Sequence, residues 1–333
     1  MRIAVDAMGG DFAPKNEVLG ALKAVEIDPE LDVVLVGRED AIRQELSLHK
    51  HSDRIIIENA TEIISMNDSP TQALKEKKDS SLLKAIQMLK AGKVDSLLSA
   101  GNTGAVLAGS MLKLGRIKNV ERPAIVAVFP GMKKPLVILD IGANVDCKPK
   151  HLLQFAKMGS VFSNKVLGVD NPVVRLLNIG EEEKKGNELT TATYQLLKEE
   201  NNLNFQGNLE PKYLLDSDTD VVVCDGFVGN VVLKLGEGIV SNIFKLIKTS
   251  ILKSWISLLG GILVMPAFKR LKRDMDYDEY GGTLLIGVSK VVLIAHGSAN
   301  PKAMCNAILA AKKVVKEKVV EEIKNTMGKI NYQ

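Results

Sequence analysis

The segment Ile3–Asp11 (IAVDAMGGD) passes from a β-branched apolar run into a short polar loop that contains two glycines. The same change recurs along the chain, and the loops that end such apolar runs are Asp6–Asp11, Ser99–Gly104, Asp140–Asn144, Asn178–Glu182, Cys224–Asn230 and Ala295–Ser298. Ligands of open α/β sheets bind at the carboxyl ends of the strands, and glycine allows backbone N–H groups to approach an anion. The sequence therefore predicts one active-site edge, where all six loops meet, for a reaction of a phosphate-bearing substrate.

Helical patterns separate these apolar runs along most of the chain. Asn16–Glu26 follows the first loop, a helix capped near Asp79 runs to Lys90, and Val106–Leu114 follows the second loop. Strands that alternate with helices are typical of a mainly parallel sheet with right-handed crossovers. The alternation predicts an α/β fold, a parallel-sheet α/β/α sandwich, and a pause at Gly115–Arg122 indicates a boundary between two lobes.

The region Gly238–Asp278 does not follow this alternation. Apolar residues from Val240 to Leu258 recur at helical spacing, a break follows at Gly260–Gly261, and a second apolar turn leads into the basic run Lys269–Arg273. The pattern predicts a protruding pair of antiparallel helices, 238–278, packed on the core or on a second copy of the chain. Peripheral contact of 240–273 with a membrane surface is an alternative, and the two are compatible.

Composition argues against several classes of protein. With 333 residues, 46% of them hydrophobic, and a mean hydropathy of +0.06, the chain can bury a sheet on both faces. A net charge of +4 and 4% aromatic residues favour no nucleic-acid partner. The three cysteines are isolated, which disfavours structural zinc and disulfides. No leader pattern precedes the first strand, and the most apolar stretch, Trp255–Met265, is too short to span a bilayer, so we expect a cytoplasmic protein.

Motifs for nucleotide cofactors and catalytic metals are absent from the sequence. There is no G-x-x-x-x-G-K-[ST] phosphate loop, no G-x-G-x-x-G after the first strand, no H-E-x-x-H and no G-x-S-x-G. Asp274, Asp276 and Asp278 imitate the start of a calcium loop, but Glu279 and Leu285 stand where that loop needs glycine and glutamate. We therefore expect neither a cofactor nor a metal.

Five of the motifs, taken together, resemble a known bacterial family. They are Asp6–Asp11, Ser99–Ala105, Asp225–Asn230, Glu279–Gly282 and His296–Ser298. In this order and at these spacings they resemble the phosphate acyltransferases of phospholipid synthesis, and the resemblance covers nearly the whole chain. One departure follows Gly282, where the family often carries Ala-Pro-Leu-Leu-Gly and this chain has Thr283–Gly287.

The resemblance implies transfer of a long acyl chain from acyl carrier protein to inorganic phosphate. The acyl phosphate would then pass to a membrane glycerol-3-phosphate acyltransferase. The resemblance also implies the fold of phosphotransacetylases and isocitrate dehydrogenases, with two lobes, a cleft between them, and a homodimer. We assign residues 1–120 with 281–333 to the first lobe and 121–280 to the second.

Attack of phosphate on a thioester needs little help from a base, because phosphate is largely dianionic near neutral pH. It needs a bound anion, donors for the tetrahedral oxyanion and a thiolate that can leave. The candidate substrate-binding residues in the first two loops are Gly9, Gly10, Asp11, Thr103 and Gly104, and Asn102 is a candidate catalytic residue. The alternatives are turns that need positive φ at the two glycines, and a helix cap at Thr103.

The later loops contribute further candidates. His296 could protonate the leaving thiolate or bind the anion, although a lone histidine after a strand often only bonds to backbone. Asp225 is a candidate catalytic base. Asp140, Asn144 and Asn230 are candidates for orienting the substrate, although carboxylates at strand ends also cap or brace loops.

Basic residues supply the candidates for anion and carrier contacts. Lys184 follows the fourth loop and could contact an anion, or belong to a solvated loop. Arg122 could reach a phosphate, or it could form an ion pair in the neighbourhood of Glu121. Three lysines, Lys75, Lys77 and Lys78, and the run Lys269–Arg273 could meet an acidic carrier protein, although charge runs are more often solvated faces.

Two other function classes fit parts of the pattern. An isocitrate-dehydrogenase-like NAD(P)-dependent oxidoreductase would share the architecture but needs a nicotinamide site and metal-ligating carboxylates, for which the sequence has no convincing motif. A non-catalytic scaffold at the membrane surface would use the helical hairpin alone.

Overall fold

A computed structural model of the protein describes residues 1–50, 52–274 and 281–328. The described strands all belong to one sheet of eleven strands. They are β1 (Arg2–Asp6), β2 (Asp32–Gly37), β3 (Ile55–Asn59), β4 (Ser96–Ser99), β5 (Ala124–Phe129), β6 (Leu136–Leu139), β7 (Val173–Leu177), β8 (Asn204–Leu209), β9 (Val221–Val223), β10 (Thr283–Ile286) and β11 (Val291–Ile294).

Helices cover both faces of this sheet, because its strands carry apolar side chains on both sides. Ile3 and Val5 pack into one core and Ala4, between them, packs into the other. The helices are α1 (Lys15–Ile27), α2 (Glu39–Ser47), α3 (Pro70–Glu76), α4 (Ser81–Lys90), α5 (Thr103–Lys113), α6 (Pro149–Phe162), α7 (Glu188–Glu199), α8 (Gly226–Ile251), α9 (Trp255–Asp274), α10 (Pro301–Lys316) and α11 (Val319–Gly328). The predicted α/β/α sandwich is confirmed.

The strand order is β3-β2-β1-β4-β11-β10-β5-β6-β9-β7-β8. Strands from residues 1–120 and 281–333 fill one side of the sheet, and strands from 121–280 fill the other. This order fits the predicted division into lobes, which itself stays a prediction, and its boundary at residue 280 lies outside the described residues.

The strands do not all point the same way, so the prediction of one shared edge is wrong. β10 pairs antiparallel with both β11 and β5, and β5 pairs antiparallel with β6. As a result, β6, β9 and β7 run opposite to β1, β4 and β11. The six loops therefore form two groups, one on each half of the sheet.

The predicted helical hairpin is present, with different bounds. α8 begins at Gly226 rather than near Gly238, because the Asp225 carboxylate caps it by accepting from the N–H groups of Phe227 and Val228. The chain turns at 252–254, and α9 runs without a break through Gly260 and Gly261.

Gly261 has a packing role in this hairpin rather than the role of a helix break. A Cβ at position 261 would stand 2.6 Å from Cγ2 of Ile251, so the missing side chain lets α9 approach the end of α8. Among the described helices, α8 alone is long and apolar enough to cross a membrane by length and composition, with a mean hydropathy of 1.3. Asp276, Asp278 and Glu279 of the calcium-like pattern lie outside the described residues.

Candidate active site

A cavity of about 290 Å³ lies where the two groups of loops approach each other. The first group contributes Thr103 and His296, and the second contributes Gly142 and Asn230. Antiparallel β5 and β10 also reach the cavity through Ile125 and the start of β10, so they connect the two groups. The cavity thus combines residues that are far apart in sequence and that come from both halves of the sheet.

The loops after β1 and β4 are packed directly against each other. A Cβ on Gly9 would stand 2.7 Å from the backbone nitrogen of Gly101 and 2.8 Å from the carboxylate of Asp6. That carboxylate accepts a hydrogen bond of 2.7 Å from Ser99 Oγ. Neither Gly9 nor Gly10 has a positive φ, so close packing, not turn geometry, is what requires glycine here.

Asn102 connects the β4 loop to its surroundings. Its side-chain oxygen caps α5 by accepting from Ala105 N–H at 3.0 Å, and its amide nitrogen donates to the carbonyls of Met66 and Asp68, each at 3.1 Å. The amide is therefore engaged with the protein, and it positions the start of α5. The alternative prediction that Thr103 caps α5 is wrong, because Asn102 is the cap. Thr103 is exposed and lines the cavity.

His296 lies on the cavity wall just after β11. Its Nδ1 accepts a hydrogen bond of 3.2 Å from Ser298 N–H and lies 2.8 Å from Ser298 Oγ. An Nδ1 that accepts carries no proton in the neutral ring, so the proton of neutral His296 resides on Nε2. The neighbouring Gly297 carbonyl accepts from Asp11 N–H at 2.8 Å, which joins the β11 loop to the β1 loop, although Asp11 itself does not line the cavity.

Asp140 organises the loop after β6. It is fully buried, and its carboxylate accepts hydrogen bonds from the backbone N–H groups of Ile125, Gly142, Ala143 and Asn144 and from the side-chain amide of Asn144. Burial raises the pKa of Asp140 and these donors oppose the rise. Both Asp140 and Asn144 therefore brace the loop rather than face a substrate.

The loop after β9 packs onto this braced loop. Gly226 N–H donates to the Asn144 carbonyl at 2.7 Å, and Asp225 caps α8. One turn later Asn230 is exposed and lines the cavity, beside Gly142. Cys147 lies nearby, but burial, with Asp140 and Asp225, raises its pKa to about 12, so the thiol stays protonated and is a poor nucleophile.

Two charged residues of the cavity were missed by the sequence analysis. Lys234 and Glu237 follow Asn230 on α8, line the cavity, and form an ion pair with 2.9 Å between Nζ and Oε2. The only available signal was helical spacing, since positions 230, 234 and 237 share one face of a helix that begins at Gly226.

Lys184 lies away from this cavity. It is exposed in the loop after β7, which Asn178 holds by donating to the carbonyl of Lys185 at 2.9 Å. β7 is separated from β6 by β9, and the loop does not contribute to the cavity lining. Among the described residues, no group of three or more His, Cys, Asp or Glu side chains could hold a metal ion.

The fold is shared with solved enzymes at low sequence identity. A phosphotransacetylase from Streptococcus pyogenes superposes with a TM-score of 0.62 at 16% identity, over 96% of this chain and 94% of that one. A 4-hydroxythreonine-4-phosphate dehydrogenase from Klebsiella pneumoniae gives a TM-score of 0.57 at 15% identity, over 95% of this chain and 99% of that one. At these identities the likeness concerns the fold alone.

Sequence comparison is more specific. The sequence model of the family described as "Fatty acid synthesis protein" matches residues 1–322. A phosphate acyltransferase from Clostridium tetani is 46% identical over 331 residues, which is 99% of each chain. The protein therefore belongs to the phosphate acyltransferases, an enzyme family of fatty acid synthesis proteins.

Proposed function

We propose that the protein transfers a long-chain fatty acyl group from acyl-acyl carrier protein to inorganic phosphate, and that the acyl phosphate supplies phospholipid synthesis. The observation that carries the proposal is the cavity that joins Thr103, Lys234 and His296. A helix N-terminus, an ammonium group and an imidazole around one cavity suit an anionic nucleophile and a developing oxyanion.

Phosphate would bind between the start of α5 and Lys234. The first turn of a helix has N–H groups without intrahelical partners and carries positive partial charge. Thr103 and Gly104 form that turn in α5, and Asn102 keeps it in place. Lys234 on α8 adds a positive charge, which is shared with Glu237. Apolar Ile125, Ile141 and Leu233 continue the lining and would contact the acyl chain next to the thioester.

The chemistry then requires one proton transfer. A phosphate oxygen forms a bond to the thioester carbon, the tetrahedral oxyanion collapses, and the carbon–sulfur bond breaks. The proton that hydrogen phosphate loses is balanced by the proton that the thiolate gains. His296 assists this step, because Ser298 occupies Nδ1 and leaves Nε2–H to donate a hydrogen bond to the departing sulfur while the thiolate takes up the proton that phosphate loses.

The first test is an assay of the purified protein with palmitoyl-acyl carrier protein, with and without phosphate. Free carrier thiol is followed, and product is trapped with hydroxylamine. The proposal predicts thiol release that depends on phosphate and yields a hydroxamate. Thiol release that is indifferent to phosphate would refute it. The oxidoreductase alternative has only the shared fold in its favour.

We also propose that the chain works in the cytoplasm as a homodimer that touches the membrane through the hairpin of α8 and α9. The hairpin presents exposed apolar side chains, among them Leu246, Leu259 and Leu263, the last of these 82% exposed. Such a surface suits either a second hairpin or lipid. Membrane contact would place the product near a membrane glycerol-3-phosphate acyltransferase.

A double variant separates these roles. Leu259→Ser with Leu263→Ser should reduce co-sedimentation with anionic liposomes at unchanged dimer mass, if this part of the hairpin meets lipid. If the variant instead loses the dimer in sedimentation analysis but still pellets with liposomes as the wild type does, the surface belongs to the contact with the second copy. The matched control is Leu112→Ser, a similarly exposed leucine at the end of α5, which should change neither quantity.

A further inference from the structure

Glu17 lies buried beneath the glycine pair of the β1 loop. It is 1% exposed, although it stands in the first turn of α1. Gly10 N–H donates to its carboxyl group, and Oε1 occupies the space that a side chain at position 10 would need. Its other oxygen, Oε2, is buried and has no hydrogen-bond partner among the described residues. A buried, half-satisfied carboxyl group of this kind is costly when ionised.

The charges around Glu17 have the same sign as its own. Asp6 on β1 and Asp11 in the loop both act on it, and Asp6 is itself buried. Burial, with these two acids, raises the pKa of Glu17 to about 7. The acidic side chains thus share the same small space, and with a pKa of about 7 Glu17 passes from its uncharged to its ionised form around neutral pH.

The other elements around this group contribute polar or apolar contacts. Ser81 on α4 and Ser99 on β4 bond to Asp6. α10 packs on α1 through Met304 and Cys305, beside Gly20. The β11 loop approaches Gly10 with the carbonyl of Gly297, one residue after His296. Ionised Glu17 would therefore add negative charge at the point where the β1, β4 and β11 loops meet.

We propose that Glu17 is a positioning residue for phosphate binding: it packs under the Gly9–Gly10 loop, and its ionisation places a negative charge there that repels the dianion. The inference rests on the proposed function, since it takes phosphate as the ligand at the start of α5, which follows the β4 loop that packs against Gly9. Glu17 touches no substrate. It acts through the charge that its uncharged form withholds from the point where the three loops meet.

Glu17→Gln tests the proposal, because glutamine keeps a carbonyl oxygen for Gly10 N–H and cannot ionise. The KM for phosphate is measured for both proteins with palmitoyl-acyl carrier protein. The wild-type KM divided by the variant KM should rise about tenfold between pH 6 and pH 8, since each pH unit above the pKa lowers the protonated fraction about tenfold. Taking the ratio cancels the titration of phosphate itself.

Controls keep the outcomes separate. Glu26→Gln, an exposed position on the same helix, should follow the wild type at every pH. A ratio that stays constant with pH would overturn the proposal for Glu17, even if phosphate-dependent turnover is present. Absence of phosphate-dependent turnover in the wild type would instead refute the proposed function, and with it the role in phosphate binding.

Discussion

The backbone N–H of Gly226 donates a hydrogen bond of 2.7 Å to the carbonyl oxygen of Asn144. This bond attaches the start of α8 to the loop that Asp140 braces. A Cβ at position 226 would stand 2.7 Å from that oxygen, 2.8 Å from Asn144 N and 2.9 Å from the Asp140 carboxylate. The position of Asn230 and Lys234 in the cavity therefore depends on a glycine that touches no substrate.

Gly226→Ala should be destabilising. The new methyl group must push apart buried backbone, and overpacking of this kind costs about 1–3 kcal/mol in the free energy of unfolding. Chemical denaturation measures it. Gly238→Ala, in the same helix but with no atom within 4 Å of its Cβ position, is the control and should be neutral or slightly stabilising. Equal effects of the two substitutions would contradict the packing argument.

Asp140→Asn should lower the free energy of unfolding by about 3 kcal/mol. The N–H donors of the loop share two carboxylate oxygens in the wild type, whereas the amide of the variant offers them only one acceptor oxygen. Unfolding in urea measures the loss. Asp146→Asn, on an exposed position of the same segment, should leave stability unchanged. A stable Asp140→Asn protein with normal activity would show that the loop does not need the carboxylate.

The stability of the protein should fall as the pH rises from 5 to 8, through Glu17. The folded-state pKa of about 7 lies above the ordinary value of 4.5, so the contribution of Glu17 is complete below pH 4.5 and is lost as the pH rises through 7. Relative to Glu17→Gln, the wild type should lose about 2–3 kcal/mol over this interval. Parallel pH profiles of the two proteins would argue that Glu17 titrates normally.

His296→Ala should lower kcat about a hundredfold, the usual scale for loss of one hydrogen-bond donor to a developing negative charge. Stability should hardly change, because the ring is exposed. Ser298→Ala should be milder, since it removes the hydroxyl and leaves the backbone N–H on Nδ1. A steady-state assay at saturating phosphate separates the two. Wild-type kcat in His296→Ala would remove His296 from the reaction.

Lys234→Met should raise the KM for phosphate about tenfold, the scale of one charge-assisted hydrogen bond, with a smaller change in kcat. Lys245→Met, on an exposed position of the same helix, is the matched control. Titration of phosphate in the acyl-transfer assay measures both. An unchanged KM in Lys234→Met would place the phosphate elsewhere in the cavity.

The strands of the sheet could be predicted from the sequence because their signal is local. The runs that became β1, β6 and β11 are aliphatic and buried on both faces, and each was found where predicted. Strand direction is not a local property, so the antiparallel pairing of β10 and β5 with their neighbours could not be predicted from the sequence. β8 was missed because Asn204–Leu209 is polar at an edge of the sheet.

The part of the candidate site that could be predicted from the sequence is its set of glycine-containing loops. Thr103, Asn230 and His296 line one cavity, and their roles stay predictions. Asn102 and Asp140 are also polar residues at strand ends, but they face the protein, and only three-dimensional contacts reveal this. Lys234 was missed because an isolated lysine on a helix has no sequence signal that separates a ligand from a solvated charge.

The origin of the new bond in the product tests the central claim most directly. The protein is supplied with palmitoyl-acyl carrier protein and phosphate labelled fully with ¹⁸O, and the products are analysed by mass spectrometry. The account predicts palmitoyl phosphate that retains all the labelled oxygens, formed with an equal amount of free carrier thiol. Unlabelled palmitate, with thiol release that does not depend on phosphate, would contradict it and would identify a thioesterase reaction instead.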